Sequence, residues 1–274
     1  MAPYESLVSR LGTRAADPPG VSAGGEVVMG AGAAWPADAV LARIIPNGSL
    51  EQIIYRVDAL HWLEERGVPV VNSPRAIERT VDKFYTSALL QDAGLETPET
   101  VVCERPEDAA AAFRRMGDVV VKPLFGSMGL GMVRVSDEET AWRVFRALEA
   151  IRAVYYVQRA VDHDGRDVRA FVVGDRVLGA IERSAEGWRT NVSRGARARA
   201  AALPPTLAAA AVCAARAVGA EYAGVDLLPA RDGTVYVLEV NGIPGWRGLQ
   251  EATSIDVAGA VVDHLLARCR PRRA

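Results

Sequence analysis

Lysine is nearly missing from this chain. Of 32 basic residues only Lys83 and Lys122 are lysines, and the rest are arginine. An ammonium is a compact point charge and a guanidinium a planar fork, so the two are not interchangeable. Two lysines kept among so many arginines mark positions that want the point charge. The plain alternative is a GC-rich coding bias that happened to spare two neutral positions. Cysteine is as scarce. Cys103, Cys213 and Cys269 are odd in number and scattered. They form neither a disulfide framework nor a metal-binding spacing, which fits a reducing cytoplasm. His61, His163 and His264 share no spacing and read as structural. No apolar run approaches about 18 residues, and the N-terminus has no signal-peptide core. Neither a membrane span nor secretion is expected. The net charge of −2 excludes the broad basic surface of a nucleic-acid binder.

What remains is an ordinary globular composition. The chain has 274 residues, half of them apolar and a quarter charged, enough for one to three subdomains. Residues 1–73 read as a small α/β domain: a loop at 16–25, strands near 26–29, 40–44 and 68–71, and a helix over 50–65 ended by Gly67. Ser73-Pro74 opens the next unit as an N-cap followed by proline at the first helical position. A central unit, 74–150, holds helices at 82–92 and from 106, strands at 99–103 and 119–121, and a further strand after 131. A Ser136/Glu139 capping box starts its last helix. The third unit, 151–274, begins with a strand over 154–158. Next come a hairpin about Gly174-Asp175, an arginine-rich loop at 189–199, and helices over 205–217 and 256–268.

The segment VYVLEVNGIPGW, from Val235, carries the strongest chemical signal. Alternation along a strand puts Glu239 and Asn241 on one face at its carboxyl end. Upstream, AGVDLLPA is a second apolar strand carrying Asp226, and the Arg231-Asp232-Gly233 turn makes the two a hairpin. Three oxygen donors then converge, as a hard cation such as Mg²⁺ requires beside substrate phosphates. Solvated acids at strand ends are the structural alternative. The second signal is GSMGLG at 126–131, directly after VVVKP and Lys122. It lacks the Lys-Ser/Thr of a P-loop and leads into a strand, so it matches neither nucleotide fingerprint that opens a helix. It reads as a glycine-rich hairpin loop whose amides can approach an anion closely.

Taken together, the blocks VVNSPRAIERTVDKF, VVVKPLFGSMGLGM, VQRAVDHDGRDVRAFVVGDRVLGAIER, WRTNVSRG, AGVDLL and LEVNGIPGWRGLQEATSIDVA resemble the RimK-type ATP-grasp carboxylate–amine ligases. The resemblance runs from about Val68 to Leu266. It implies an α/β chain of α+β subdomains: two units gripping ATP, preceded by a small preATP-grasp domain. Lys83, Lys122 and the loop residues Gly126, Ser127 and Gly129 would hold the ATP phosphates. Gln158, Arg159, Ala160 and Val161 would form the adenine hinge, with Arg159 where the family usually has glutamate. Asp167 would hold ribose, and Asp226, Glu239 and Asn241 one or two Mg²⁺ or Mn²⁺ ions. Arg169, Arg189 and Asn191 would line an acyl-phosphate site. Arg194 would face an acidic substrate and Arg247 an amino-acid carboxylate, while Arg197 and Arg199 read as solvated.

The implied activity joins a small-molecule carboxylate acceptor to an amino acid, glutamate above others, through an acyl phosphate. The NGIPGWRGLQ ending is similar to the tetrahydromethanopterin- and methanofuran-type glutamate ligase branch, which points to synthesis of a small acidic cofactor. The implied protein is cytoplasmic, with no nucleic-acid or membrane partner; homo-oligomerisation is left open. Two other readings are a ligase acting on a protein's C-terminal carboxylate and a non-catalytic ATP-binding module.

Overall fold

The computed structural model describes residues 7–10, 26–29, 38–126, 129–184 and 197–269. The chain divides into two units, Met1–Arg75 with Val262–Ala274, and Ala76–Val261.

In the first unit β1 (Leu7–Arg10) and β2 (Glu26–Met29) pair antiparallel, and β3 (Val40–Leu41) and β4 (Val70–Val71) pair parallel. The crossover between β3 and β4 is α1 (Leu50–Glu65). Ser49 and Gln52 form a reciprocal capping box at its start. The buried Arg56 on this helix donates to the Pro46 and Asn47 carbonyls and so fixes the preceding loop.

The second unit takes in all but the first two residues of α2 (Pro74–Val81), and then α3 (Lys83–Asp92), capped by Asp82. A four-stranded antiparallel sheet follows, built from β5 (Thr100–Cys103), β6 (Val119–Lys122), β7 (Val133–Val135) and β8 (Tyr155–Arg159) in the order β5-β8-β6-β7. The sequence division at 150 sets β8 beyond the central unit; its ladders with β5 and β6 place it inside this sheet. Between these strands run α4 (Pro106–Met116), closed by Gly117 at φ +80°, and α5 (Glu138–Ala150). The N-cap of α5 is Asp137, whose carboxylate accepts from the Thr140 amide at 2.8 Å, so the cap lies one residue beyond the expected Ser136. Alternation divides the sheet cleanly. Val119, Val121, Tyr155 and Val157 pack on Ala112, Phe113, Ala141 and Phe145 of the two helices. Val120, Lys122, Tyr156 and Gln158 point to the other face.

The second sheet has β9 (Arg166–Val173), β10 (Arg176–Ser184), β11 (Arg197–Ala200), β12 (Tyr222–Pro229) and β13 (Val235–Asn241) in the order β11-β10-β9-β12-β13, all antiparallel. The residues read as a solvated loop at Arg197 and Arg199 are thus part of an edge strand, with Arg199 paired to Glu182. One face is covered by α6 (Pro205–Val218), whose Ala211, Ala214, Ala215 and Val218 pack on Ala170, Val172, Ala223, Val225 and Leu227. Each fully buried Val or Leu contributes about 1.5–3 kcal/mol. The alanines let helix and sheet approach closely. The chain then forms α7 (Arg247–Thr253), which the sequence reading did not include, and α8 (Val257–Cys269). Among the described residues no helix is long and apolar enough to cross a membrane.

Candidate active site

Each sheet of the second unit has one face under helices; on the opposite face of the five-stranded sheet α7 covers the β10–β11 end, where Gly179 meets Leu249. The rest of these opposite faces lines a cleft that collects Lys83, Lys122, Gly126, Gly129, Gln158, Asp167, Arg183, Asp226 and Glu239.

The lysines enter from different elements. Lys83 is the first residue of α3, and its Nζ donates to the Gly126 carbonyl at 2.7 Å and the Leu124 carbonyl at 3.4 Å. Lys122 ends β6 and donates to Gln158 Oε1 at 2.6 Å. Burial lowers the pKa of both, with Glu239 opposing the shift; for Lys122 it falls to about 8. An anion in this cleft restores what burial takes from the ammonium groups. The loop after Lys122 turns with Gly131 at φ +74°, where a Cβ would lie 2.8 Å from Pro123 Cγ, so only glycine fits.

The acidic side of the cleft is set by two strand irregularities. In the β12–β13 hairpin a bulge before Glu239 brings that residue directly opposite Asp226. In the β9–β10 hairpin a second bulge, between Val177 and Gly179, brings Arg183 opposite Asp167. Asp226 is buried, and burial acts to raise its carboxyl pKa. Arg169 and Arg183 outweigh that effect and bring it down to about 2. Arg169 grips it with Nε at 2.6 Å and Nη2 at 2.7 Å. Arg183 lies 2.9 Å from it while bonding both Asp167 oxygens at 2.6 Å. Arg183 went unnoticed in the sequence; its signal was the register of its own hairpin.

Other expected residues are placed differently. Ala160 and Val161 line the cleft, as does Arg159, but its guanidinium is bonded to Glu99 and the Met116 carbonyl. Gln158 bonds Lys122 through its oxygen, and its nitrogen donates to Thr100 and Tyr156. Asn241 stands opposite Gly224, and its Oδ1 accepts from the Ile243 amide at 2.9 Å. Arg247 is not brought to the cleft: it starts α7 with its side chain 91% exposed and paired to Glu251. Ser127, Arg189, Asn191 and Arg194 lie outside the described residues.

Two opposed carboxylates are oxygen donors of the kind a hard divalent cation takes, but Asp226 is already bonded through both oxygens to Arg169 and Arg183, and Asn241 Oδ1 accepts from Ile243. Among the described residues the Glu239 carboxylate makes no hydrogen bond or ion pair, and no cluster of three or more His, Cys, Asp or Glu forms a protein-only cage.

Compared with known proteins, residues 80–265 match the RimK-like ATP-grasp domain. A tetrahydromethanopterin:alpha-L-glutamate ligase of Methanosarcina acetivorans is 34% identical over 93% of this chain and 86% of its own length. A probable alpha-L-glutamate ligase of Trichodesmium erythraeum is 36% identical over 81% of this chain and 76% of its own. Among solved structures, the ATP-grasp ligase PsnB complexed with minimal precursor, Mg and ADP superimposes with a TM-score of 0.71. It is 25% identical, across 96% of this chain and 85% of that one.

Two helix-backed sheets facing a lysine- and carboxylate-lined cleft define an ATP-grasp fold. The chain belongs to the RimK-like ATP-grasp family. It is an ATP-dependent carboxylate–amine ligase.

Proposed function

We propose that the enzyme joins an amino acid, glutamate first among candidates, to a small acidic cofactor precursor by way of an acyl phosphate. The observation that carries this reading is the convergence of Lys83, Lys122, Asp226 and Glu239 on one cleft. The names of the glutamate-ligase relatives support the choice of amino acid, and the PsnB complex with Mg and ADP supports the choice of nucleotide.

A carboxylate resists an amine because its leaving group would be oxide. In the proposed first step a carboxylate oxygen of the acceptor bonds to the γ-phosphorus of ATP while the bond to the bridging oxygen breaks, and ADP leaves. In the second, the amine attacks the acyl carbon, phosphate departs with the C–O electron pair, and the nitrogen loses a proton. Such phosphoryl transfer rests on alignment and charge neutralisation. Lys83 and Lys122 supply fixed positive charge to the phosphates. Asp226, Glu239 and Asn241 would hold Mg²⁺ or Mn²⁺, which neutralises phosphate oxygens when bound. Arg169, which grips Asp226, is given to the acyl-phosphate site by the resemblance. Arg189 and Asn191 at the acyl-phosphate site and Arg194 at an acidic substrate remain proposals from the resemblance, and Arg247 at the amino-acid carboxylate one from its place just past the metal strand.

The test is a matrix of amino acids and carboxylate acceptors with ATP and Mg²⁺, read as phosphate release and product mass. Equimolar ADP, phosphate and amide product with glutamate supports the proposal. Turnover with a different amino acid alone, or ADP formation with no amide product, overturns it. A second reading, a peptide carboxylate as acceptor, is favoured by the precursor bound to PsnB. Peptide acceptors in the same matrix separate the two.

A further inference from the structure

Four hydrogen-bonding side chains lie behind the two lysines, and the proposed chemistry uses none of their hydroxyl groups. Gln158 is 3% exposed, and its Oε1 accepts from Lys122 at 2.6 Å. That contact fixes the orientation of the carboxamide, so Nε2 faces away from the cleft. Its two hydrogens go to Thr100 Oγ1 at 3.0 Å and to the Tyr156 hydroxyl at 3.2 Å. The Tyr156 hydroxyl accepts from Gln158 and shares a hydrogen bond with Ser87 Oγ, 2.8 Å away. Ser87 sits on α3 one turn beyond Lys83. Lys83 in turn donates to the Leu124 and Gly126 carbonyls, just after Lys122 in the chain. The bonds form a closed circuit: α3 to β8 through Ser87 and Tyr156, β8 to β6 through Gln158 and Lys122, and the loop after β6 back to α3 through Lys83.

We propose that Tyr156 is a positioning residue that, through Gln158 and Ser87, holds Lys122 and Lys83 in register for the triphosphate. This rests on the reading of the cleft as a nucleotide site. Geometry supports it on three counts. Tyr156 is 1% exposed, so its hydroxyl has no water to bond and must find protein partners. Each partner leads to an element that carries one of the two lysines. A lysine on its own flexible stem has large rotamer freedom; a fixed acceptor at its tip removes that freedom before the nucleotide arrives. Ala160 and Val161, which the resemblance gives to the adenine hinge, lie outside the circuit; Gln158, given to the same hinge, turns its carboxamide oxygen to Lys122.

The test compares Tyr156→Phe and Ser87→Ala with wild type by calorimetric titration with Mg-ATP and, separately, with adenosine. Tyr156→Phe keeps the ring and removes only the hydroxyl. Ser87→Ala removes the far end of the chain from a half-buried helix position and so serves where the first variant folds poorly. The expected result is an ATP affinity weakened by about 5- to 30-fold in Tyr156→Phe and about 3-fold in Ser87→Ala. Adenosine affinity stays at the wild-type value, while the ligand-free melting temperature of Tyr156→Phe falls by a few degrees because the buried Gln158 Nε2 loses an acceptor. ATP affinity unchanged in both variants overturns the proposal. An equal loss for ATP and adenosine also overturns it, because the hydroxyl would then serve general packing. Failure of wild type to bind ATP is a different result and sinks the nucleotide reading itself.

Discussion

Glu239 stands directly opposite Asp226 because the strand carries an extra residue just before it. Counted straight out from the turn, Asp226 would face Leu238 and Glu239 would face Val225, which packs into the core beneath α6. The bulge turns both carboxylates to the cleft. Glu239→Gln keeps the shape and removes the charge. Turnover is expected to fall by roughly 10²–10³, with Mn²⁺ binding in the presence of ATP weakened when followed by electron paramagnetic resonance. A rate within a few-fold of wild type would remove Glu239 from the proposed ion site.

Arg183 is buried between two carboxylates, Asp167 and Asp226. Removing it takes the paired guanidinium from buried Asp167, while Asp226 keeps Arg169. Arg183→Met is expected to cost about 3–5 kcal/mol of unfolding free energy, read from urea denaturation at neutral pH. A loss under about 1 kcal/mol would mean that water or a neighbouring cation takes over the role.

Lys122 sets a pH dependence. Burial pushes its ammonium from 10.5 to about 8; Glu239 opposes this, Lys83 adds to it and Asp226 opposes it. With the folded value below the unfolded one, the charged lysine costs stability below about 8, and that cost fades as pH rises toward 10.5. A bound triphosphate favours the charged form. ATP affinity should therefore fall as pH rises through about 8, by at most about tenfold per unit. Binding near that pH should take up a proton, seen by calorimetry in buffers of different ionisation enthalpy. Proton release would contradict the assignment.

A close approach of chains gives a further test. Beside Asn241, a Cβ on Gly242 would lie 2.5 Å from Thr80 Oγ1 of α2. Gly242→Ala is expected to destabilise by about 1–3 kcal/mol. Thr80→Ala in the same chain should recover part of that loss, measured as a double-mutant cycle. Full additivity would show that the two residues do not meet.

Much of the site was legible because it lies on strand ends, where alternation and turn residues speak plainly. Lys122 closing VVVK, and Asp226 and Glu239 on a hairpin, needed only the period of a strand. The register was not legible. Bulges follow from local backbone geometry and leave little mark on composition. Counted from its turn, the β9–β10 hairpin would set Arg183 against Arg166; the irregularity at Val177 and Gly179 sets it against Asp167 instead. Arg247 is a separate case. Proximity in sequence to the metal strand suggested proximity in space, but the intervening turn starts a helix that carries it into solvent. The place of β8 was missed because pairing across sheets is a long-range choice that no local pattern encodes.

The most direct test of the account is calorimetric titration of Mg-ATP into wild type and Lys122→Ala, both checked for fold by circular dichroism. Lys122 ends a strand at the cleft, so its truncation leaves the helix-packed core intact. The account predicts a single saturable site in wild type and an affinity weaker by at least about tenfold in the variant, consistent with loss of a charge-assisted contact. Identical affinities in two folded proteins, or no binding by wild type at millimolar nucleotide, would contradict it.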